Sequence, residues 1–387
     1  MTLKEIRANG YWIVGGTSAV RSYIWRCIFC IRLSSEVAEQ KMADLPEDRL
    51  KLAPPLTNCT VDYFGPFTIK QGRKEIKRYG VLFTCLASRA VHLETSSTLE
   101  TDASINALRR FICRRGSIRQ LRSDQGTSFV GAKHELKAAV AQLDHQRIKK
   151  ELLKENSDGF TFTMNVPSSS HMGGVWERQI RSVRSVLSPL LQDNSLQLDD
   201  ESLRTLLCEV EAIINSRPLT VDLLADPSSP SPLTPNHLIT LKTKVVLSPP
   251  GVFPSADKFT RKRWRRVQHL ANEFWSRWRK EYLLGLQQRQ KWTAPRRDMC
   301  HDNIVILKED NVPRNCWQLA RVAAEHQCLD GRERMVKLAL ADACLDDRGT
   351  RTSAVKFLER PIQKLVLLMS KDDYKKEPRG KSQPRSP

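Results

Sequence analysis

The sequence predicts an α/β protein: a mixed sheet flanked by helices, followed by a long basic helix and a small C-terminal β domain. Three observations predict it. Between residues 53 and 220, three short β-rich runs come first, and helical and strand patterns then alternate. Between 261 and 297, twelve Lys or Arg residues stand against two acids, Glu273 and Glu281, around an apolar stripe of helical spacing. From 303 to 368 short β-branched runs return. At 387 residues the chain is long enough for two or three domains.

The first segment, YWIVGGTSAVRSYIWRCIFC, ends in Cys27 and Cys30, which have the spacing of half a tetrahedral zinc site. The first histidine in the chain is His92, so the pair does not close such a site by itself; two thiols on a helix is the competing reading. TNCTVDYFGPF, YGVLFTCL and RAVHLET read as strands because β-branched and aromatic residues dominate them. A helix follows, with Thr101 and Asp102 as caps and Ile105, Leu108 and Phe111 or Ile112 as its apolar stripe, ending before Gly116. IRQLRSD reads as a fourth strand, 130–143 as a second helix, and FTFTMNVP as a fifth strand ending at Pro167. Two helices are expected over about 172–191 and 201–215. The second sets Leu203, Leu206, Leu207, Val210, Ile213 and Ile214 on one side.

The Pro-rich stretches DPSSPSPLTPNH and LSPPGVFPSADKF oppose regular structure and place a linker at 246–258. In the basic segment Trp264, Val267, Ala271, Phe274, Trp278 and Tyr282 recur at three- and four-residue steps, so its apolar face should dock and its basic face stay outside. NIVILKE, WQLARVAA, RMVKLAL and KLVLL are strands of a β domain within 259–370. The tail 371–387 is charged and nearly free of apolar residues, a composition of disorder.

The chain carries 63 Lys+Arg against 43 Asp+Glu, a net charge of +20. Such a field attracts polyanions, above all nucleic acid. No apolar run approaches the roughly 18 residues of a spanning helix, so no membrane partner is expected. The N-terminus lacks an apolar core with a cleavage site, and the ten cysteines are scattered; reduced thiols are expected rather than a disulfide framework.

Three acids stand out. Asp62 lies in the middle of an apolar first strand, Asp124 ends the fourth, and Glu177 is the sole acid between Asp158 and Asp193 in a run that supplies Arg178, Arg181 and Arg184. Taken singly, each reads as the partner of an arginine, since a lone buried carboxylate is costly. Taken together, one on the first strand, one at a neighbouring strand's end and one near a helix start can converge at the sheet's rim. Convergent carboxylates suit hard cations such as Mg²⁺ or Mn²⁺. Two such ions about 4 Å apart serve an in-line displacement at phosphorus.

The phrases VDYFGPF, RAVHLE, RRFICRRG, SDQGTSFVGA, HMGGVWERQIRSVR, NSRPLT and LTPNHL follow one another from 61 to 238. In that order they resemble the integrase of BEL/Pao-type LTR retrotransposons, with the retroviral-type core of the ribonuclease-H-like superfamily. The resemblance implies a five-stranded ribonuclease-H-like catalytic core over 53–245, and makes 1–45 the remnant of a zinc-binding region that lacks its histidines, as an N-terminal truncation would leave it. It also implies that Asp62, Asp124 and Glu177 hold two Mg²⁺ or Mn²⁺ ions for 3′-end processing and strand transfer. Element ends and target DNA would be the partners, a homo-oligomer the working form and the nucleus the location. Arg178, Arg181, Arg184, Arg261, Lys262, Arg263, Arg265 and Arg266 would contact DNA, or else form solvated helix faces.

Departures exist: Gln125 and Ser128 stand where the family favours Asn, and His301 where Gly is usual. A catalytically silent or host-repurposed DNA-binding protein derived from such an integrase is the alternative. A ribonuclease with the same fold and metals fits the carboxylates but not the phrases. His92 on its strand reads as structural, and Trp264, Trp275 and Trp278 on their helix read as core, with base stacking as the alternative. His171 reads as a cap or packing residue, or as a contact to DNA.

Overall fold

The computed structural model describes residues 3–28, 47–50, 53–123, 161–164, 174–191, 198–220, 232–242, 249–287, 299–310, 312–327, 333–340 and 355–371. It divides into two units, Met1–Pro46 and Glu47–Pro387. In the first, α1 (Leu3–Ala8) and α2 (Gly16–Arg26) are joined through Gly15, whose left-handed φ of 68° suits a glycine. These helices bury almost nothing: Tyr11, Trp12, Val14, Tyr23 and Trp25 are all more than two-thirds exposed. Cys27 is half-buried just past α2, and Cys30 lies outside the described residues.

The second unit opens with a short helix, α3 (Glu47–Leu50), and then builds its sheet from a long hairpin. Strands β1 (Asn58–Gln71) and β2 (Lys74–Cys85) pair antiparallel around the turn Gly72–Arg73, and β3 (Val91–Ser96) pairs antiparallel with β2. After α4 (Thr101–Arg115), strand β4 (Gln120–Ser123) runs parallel to β1, and β5 (Thr161–Met164) parallel to β4. The order β3-β2-β1-β4-β5, antiparallel on one side and parallel on the other, is the expected ribonuclease-H-like sheet. The strands match the predicted ones, with β1 and β2 extended to meet at their turn. Glu100, rather than Thr101 or Asp102, occupies the cap position of α4, without a side-chain cap bond. The expected helix at 130–143 and the tail beyond 371 lie outside the described residues.

Alternation along the strands splits the core in two. Cys59, Tyr63, Val81, Phe83 and Cys85 face α4, where Phe83 stacks on Phe111 at 4.1 Å. Phe64, Ile69 and Leu82 face the other way, onto α5 (Gly174–Leu191) and α6 (Asp200–Ile214). Phe64 lies over Gly80, its partner across the hairpin, where a Cβ would stand 2.3 Å from the ring. The apolar side of α6 is buried as predicted, and Asp199 caps the helix by accepting from the Ser202 N–H at 2.9 Å. A short helix α7 (Pro235–Thr240) follows, closed by a Thr234–His237 capping box.

The basic segment forms α8 (Arg263–Leu286), and residues 288–298 lie outside the described set. Its apolar face enters the same cluster as β1, α5 and α6, through Val267, Leu270, Phe274 and Trp278. Trp275 and Trp278 are core, whereas Trp264 is 54% exposed because the first turn extends past the core, with Phe253 against one edge of its ring. Strands β6 (Ile304–Leu307), β7 (Leu319–Gln327), β8 (Glu333–Leu340), β9 (Lys356–Pro361) and β10 (Leu365–Met369) form a second, antiparallel sheet in the order β10-β6-β7-β8-β9. One face of β6 meets Leu283 of α8 through Ile304 and Ile306, and the other face packs Val305 and Leu307 against Leu338 and Leu365. Trp317 joins Trp275, Trp278 and Tyr282 in one aromatic cluster. Arg279 donates to the Leu307 carbonyl at 2.8 Å, fastening helix to sheet.

Candidate active site and nucleic-acid interface

Alternation puts Asp62 on the face of β1 that α5 covers, opposite Leu82 in the hairpin register. Its Oδ1 accepts from the Tyr63 N–H at 2.8 Å, and the residue is half-buried. Tyr63, on the opposite face, is pushed up to about 12, first by burial and further by the Asp62 charge, against a hydrogen bond to Ser104. One residue before Asp62, Val61 pairs with Ser123 of β4. The residue after Ser123 is Asp124, which lies outside the described residues.

Helix α5 packs against β1 and carries position 177 in its first turn; the Glu177 side chain is outside the described set. Seven residues on, Arg184 lies on the same stripe of the helix, about 10 Å along its axis. Burial pushes the Arg184 guanidinium down to about 10, and the nearby Asp62 carboxylate works against that shift. The structure thus brings Asp62 to α5, with a cation of that helix in electrostatic reach. Among the described residues no three His, Cys, Asp or Glu side chains form a metal-ligand group.

The arginines divide by what they touch. Arg178 and Arg181 are exposed on the outer side of α5, and Arg178 reaches the Gly285 carbonyl of α8 at 3.4 Å. At the start of α8, Arg261 and Lys262 stand in solvent. Arg263 pairs with Asp199 at 2.8 Å, Arg265 grips Asp257 with two 2.9 Å hydrogen bonds, and Arg266 donates to the Thr260 carbonyl at 2.6 Å. The Arg265 bond holds the Asp257 carboxyl below its ordinary range. The charge of this turn is therefore shared with acceptors of the protein itself.

One cluster escaped sequence reasoning. His92 on β3 contacts Glu94 at 3.2 Å through Nε2 and Glu211 of α6 at 3.1 Å through Nδ1. Arg110 and Arg114 of α4 bind Glu94 at 2.8 and 3.0 Å, and Arg115 binds Glu211. Burial raises the Glu94 carboxyl, but the hydrogen bonds from His92 and Arg110 outweigh it and bring it down to about 2. Burial likewise lowers His92, and its bonds to Glu211 and Glu94 turn the net shift upward. Asn215, fully buried, bonds both the N–H and the C=O of Val91, at 2.9 and 2.7 Å. RAVHLE is thus clasped to α4 by the arginines of RRFICRRG, to α6 by Glu211, and to the residue after α6 by Asn215, which opens NSRPLT.

Residues 262–368 match a family described as "Family of unknown function (DUF5641)". No curated protein matches the chain. Among solved structures, the chain is similar to a simian T-cell lymphotropic virus intasome in complex with PP2A regulatory subunit B56 gamma, at 13% identity, 96% coverage of each chain and a TM-score of 0.32. The HTLV-2 integrase catalytic core domain in complex with magnesium is similar in its dimeric form at 15% identity, covering 47% of this chain and 94% of that one with a TM-score of 0.29. In its trimeric form the values are 16%, 43%, 89% and 0.28. With TM-scores this low, the fold rests on strand order and pairing.

Proposed function

We propose that this chain is an integrase-type polynucleotidyl transferase of BEL/Pao retrotransposon kind, acting on DNA through Asp62, Asp124 and Glu177. The observation that carries the proposal is the register at the sheet centre: Val61 beside Ser123 on parallel strands, and a helix bearing position 177 against the same face of β1 as Asp62. In a ribonuclease-H-like sheet, carboxylates at those three positions have one rim in common.

Oxygen ligands of this kind fit Mg²⁺ or Mn²⁺, and the half-buried Asp62 keeps a carboxylate oxygen oriented by a backbone N–H. When bound, such ions supply activation of the attacking oxygen and stabilisation of the leaving oxygen. The chain's own part is positioning. The Tyr63 N–H fixes the Asp62 rotamer, the α5 core residues Ile180, Val183 and Leu187 hold the helix to the sheet, and Arg178 and Arg181 offer cations to a phosphate backbone. By the same reading the protein works on element ends and target DNA, as an oligomer, in the nucleus.

One observation favours the second reading, a catalytically silent DNA-binding protein: the Arg184 cation already lies in electrostatic reach of Asp62. Strand transfer decides between them. Purified chain, Mn²⁺ and a labelled duplex carrying the flanking terminal repeat should give joined products that vanish with Glu177→Gln. DNA binding with no joined or trimmed product, from a chain extended upstream where its gene allows, supports the silent form.

A further inference from the structure

Cys59 and Cys85 have no part in the chemistry proposed above, and the first hairpin sets them directly opposite each other. Cys59 is the second residue of β1 and Cys85 the last of β2, and both are free thiols, 0% and 2% exposed. Paired residues of an antiparallel ladder point to one face. Here it is the face that α4 covers, shared with Val61 opposite Phe83 and Tyr63 opposite Val81. The hydrogen bonds around the pair decide its type. One rung outward, the Leu86 N–H donates to the Asn58 carbonyl at 2.9 Å, and the Cys85 N–H turns to the β3 side, donating to the Ala90 carbonyl at 2.8 Å. Cys59 and Cys85 are therefore a non-hydrogen-bonded pair, in which Cα atoms stand about 4.5 Å apart and side chains approach most closely. A disulfide spans Cα separations of about 4.4–6.8 Å, so this rung accepts one with little backbone movement. The Cys85 sulfur is already held there, accepting from the Leu56 N–H at 3.3 Å. The Cys59 thiol is pushed well above its ordinary value, first by burial and then by Cys85, in keeping with two neighbouring sulfurs.

We propose that Cys59 and Cys85 form a reversible cross-strand disulfide when the chain folds in the presence of a low-molecular-weight disulfide such as oxidised glutathione. One thiolate of the pair attacks a sulfur of the small disulfide and releases a small thiol. The other thiolate then attacks the protein sulfur of that mixed disulfide and releases the second small thiol. Two protein S–H bonds are lost and one S–S bond is made, while the small disulfide takes up both electrons and both protons. Burial keeps the two thiols protonated and slow in the folded chain, so the exchange belongs to folding or to opening of the hairpin's free end. The bond closes a loop of about 27 residues, which removes conformations from the unfolded chain. It fastens β1 to β2 three residues before Asp62, on the face of the sheet away from that carboxylate. A chain kept reduced in a cell would thus carry a site that responds when its surroundings turn oxidising.

The test is cell-free synthesis of the full chain in reduced or in oxidised glutathione. The soluble protein is then alkylated in denaturant, digested with trypsin without reductant and read by mass spectrometry. The oxidised sample should contain peptides 52–70 and 79–89, which carry Cys59 and Cys85, joined and lighter by two hydrogens than the free pair. Dithiol treatment should separate them. Before that treatment the joined chain should unfold about 5 °C or more above the same chain after it. Exposed Cys113 and Cys208 report that the oxidant acted, by carrying glutathione. If they do so while Cys59 and Cys85 are both recovered alkylated, the proposal is overturned. Joining of either residue to a different cysteine overturns it as well. So does a joined chain with no rise in midpoint, because the bond then distorts the rung instead of fitting it.

Discussion

Replacing Glu94 by Gln tests whether the clasp at β3 holds the first sheet to its helices. The carboxylate is 4% exposed and accepts from Arg110, Arg114 and His92 at 2.8, 3.0 and 3.2 Å. A carboxyl held at about 2 instead of 4.5 contributes roughly 3 kcal/mol of folding stability at neutral pH. Because Arg110 and Arg114 are 39% and 52% exposed, solvent screening reduces that expectation to about 2 kcal/mol. This stability is fully present above the unfolded-chain value near 4.5 and is lost as pH falls toward about 2. Urea unfolding followed by tryptophan fluorescence should show Glu94→Gln less stable by that amount at pH ~7, with the gap closing under acid. A gap below about 0.5 kcal/mol at neutral pH, or one that does not change with pH, refutes the reasoning.

Four further outcomes follow from the packing. The His92 midpoint, read by NMR, should lie above 6.5 and fall in Glu94→Gln; its stabilising effect is present below 6.5 and fades as pH rises through the raised value. Gly80→Ala sets a methyl 2.3 Å from the Phe64 ring and should cost about 2 kcal/mol or more in urea unfolding, partly recovered by Phe64→Leu in the same chain. Asn215→Ala strands the N–H and C=O of Val91 and should cost about 2–4 kcal/mol, with faster amide exchange along β3. Trp278→Ala, at a residue 2% exposed, should cost about 3–5 kcal/mol, while Arg263→Gln on the same helix costs under about 1 kcal/mol.

Most of the first sheet was legible because its strands announce themselves locally, by β-branched runs bounded by turns. Asp62 was legible for the same reason, a carboxylate among apolar neighbours. What stayed hidden depends on distant partners. Arg279 counts in the sequence as one more cation of a basic face, but the Leu307 carbonyl, 28 residues on, draws it into the interior. Arg263 and Arg265 read in the sequence as part of one basic face, and only the fold shows that Asp199 and Asp257 stand beside them. Trp264 fits the apolar stripe by spacing, yet helical periodicity cannot say where along the helix the core ends. His92 looked like an isolated strand histidine because Glu211, which meets its Nδ1, belongs to a helix more than a hundred residues later.

Mn²⁺ binding followed by electron paramagnetic resonance tests the central claim, that three carboxylates share one cation site. The full chain should bind Mn²⁺, and Asp62→Asn, Asp124→Asn and Glu177→Gln should each weaken that binding by at least about tenfold, equal to 1.4 kcal/mol. Arg178→Gln, on the outer side of α5, should leave it unchanged. Absence of Mn²⁺ binding, or undiminished affinity in any of the three carboxylate variants, would contradict the account.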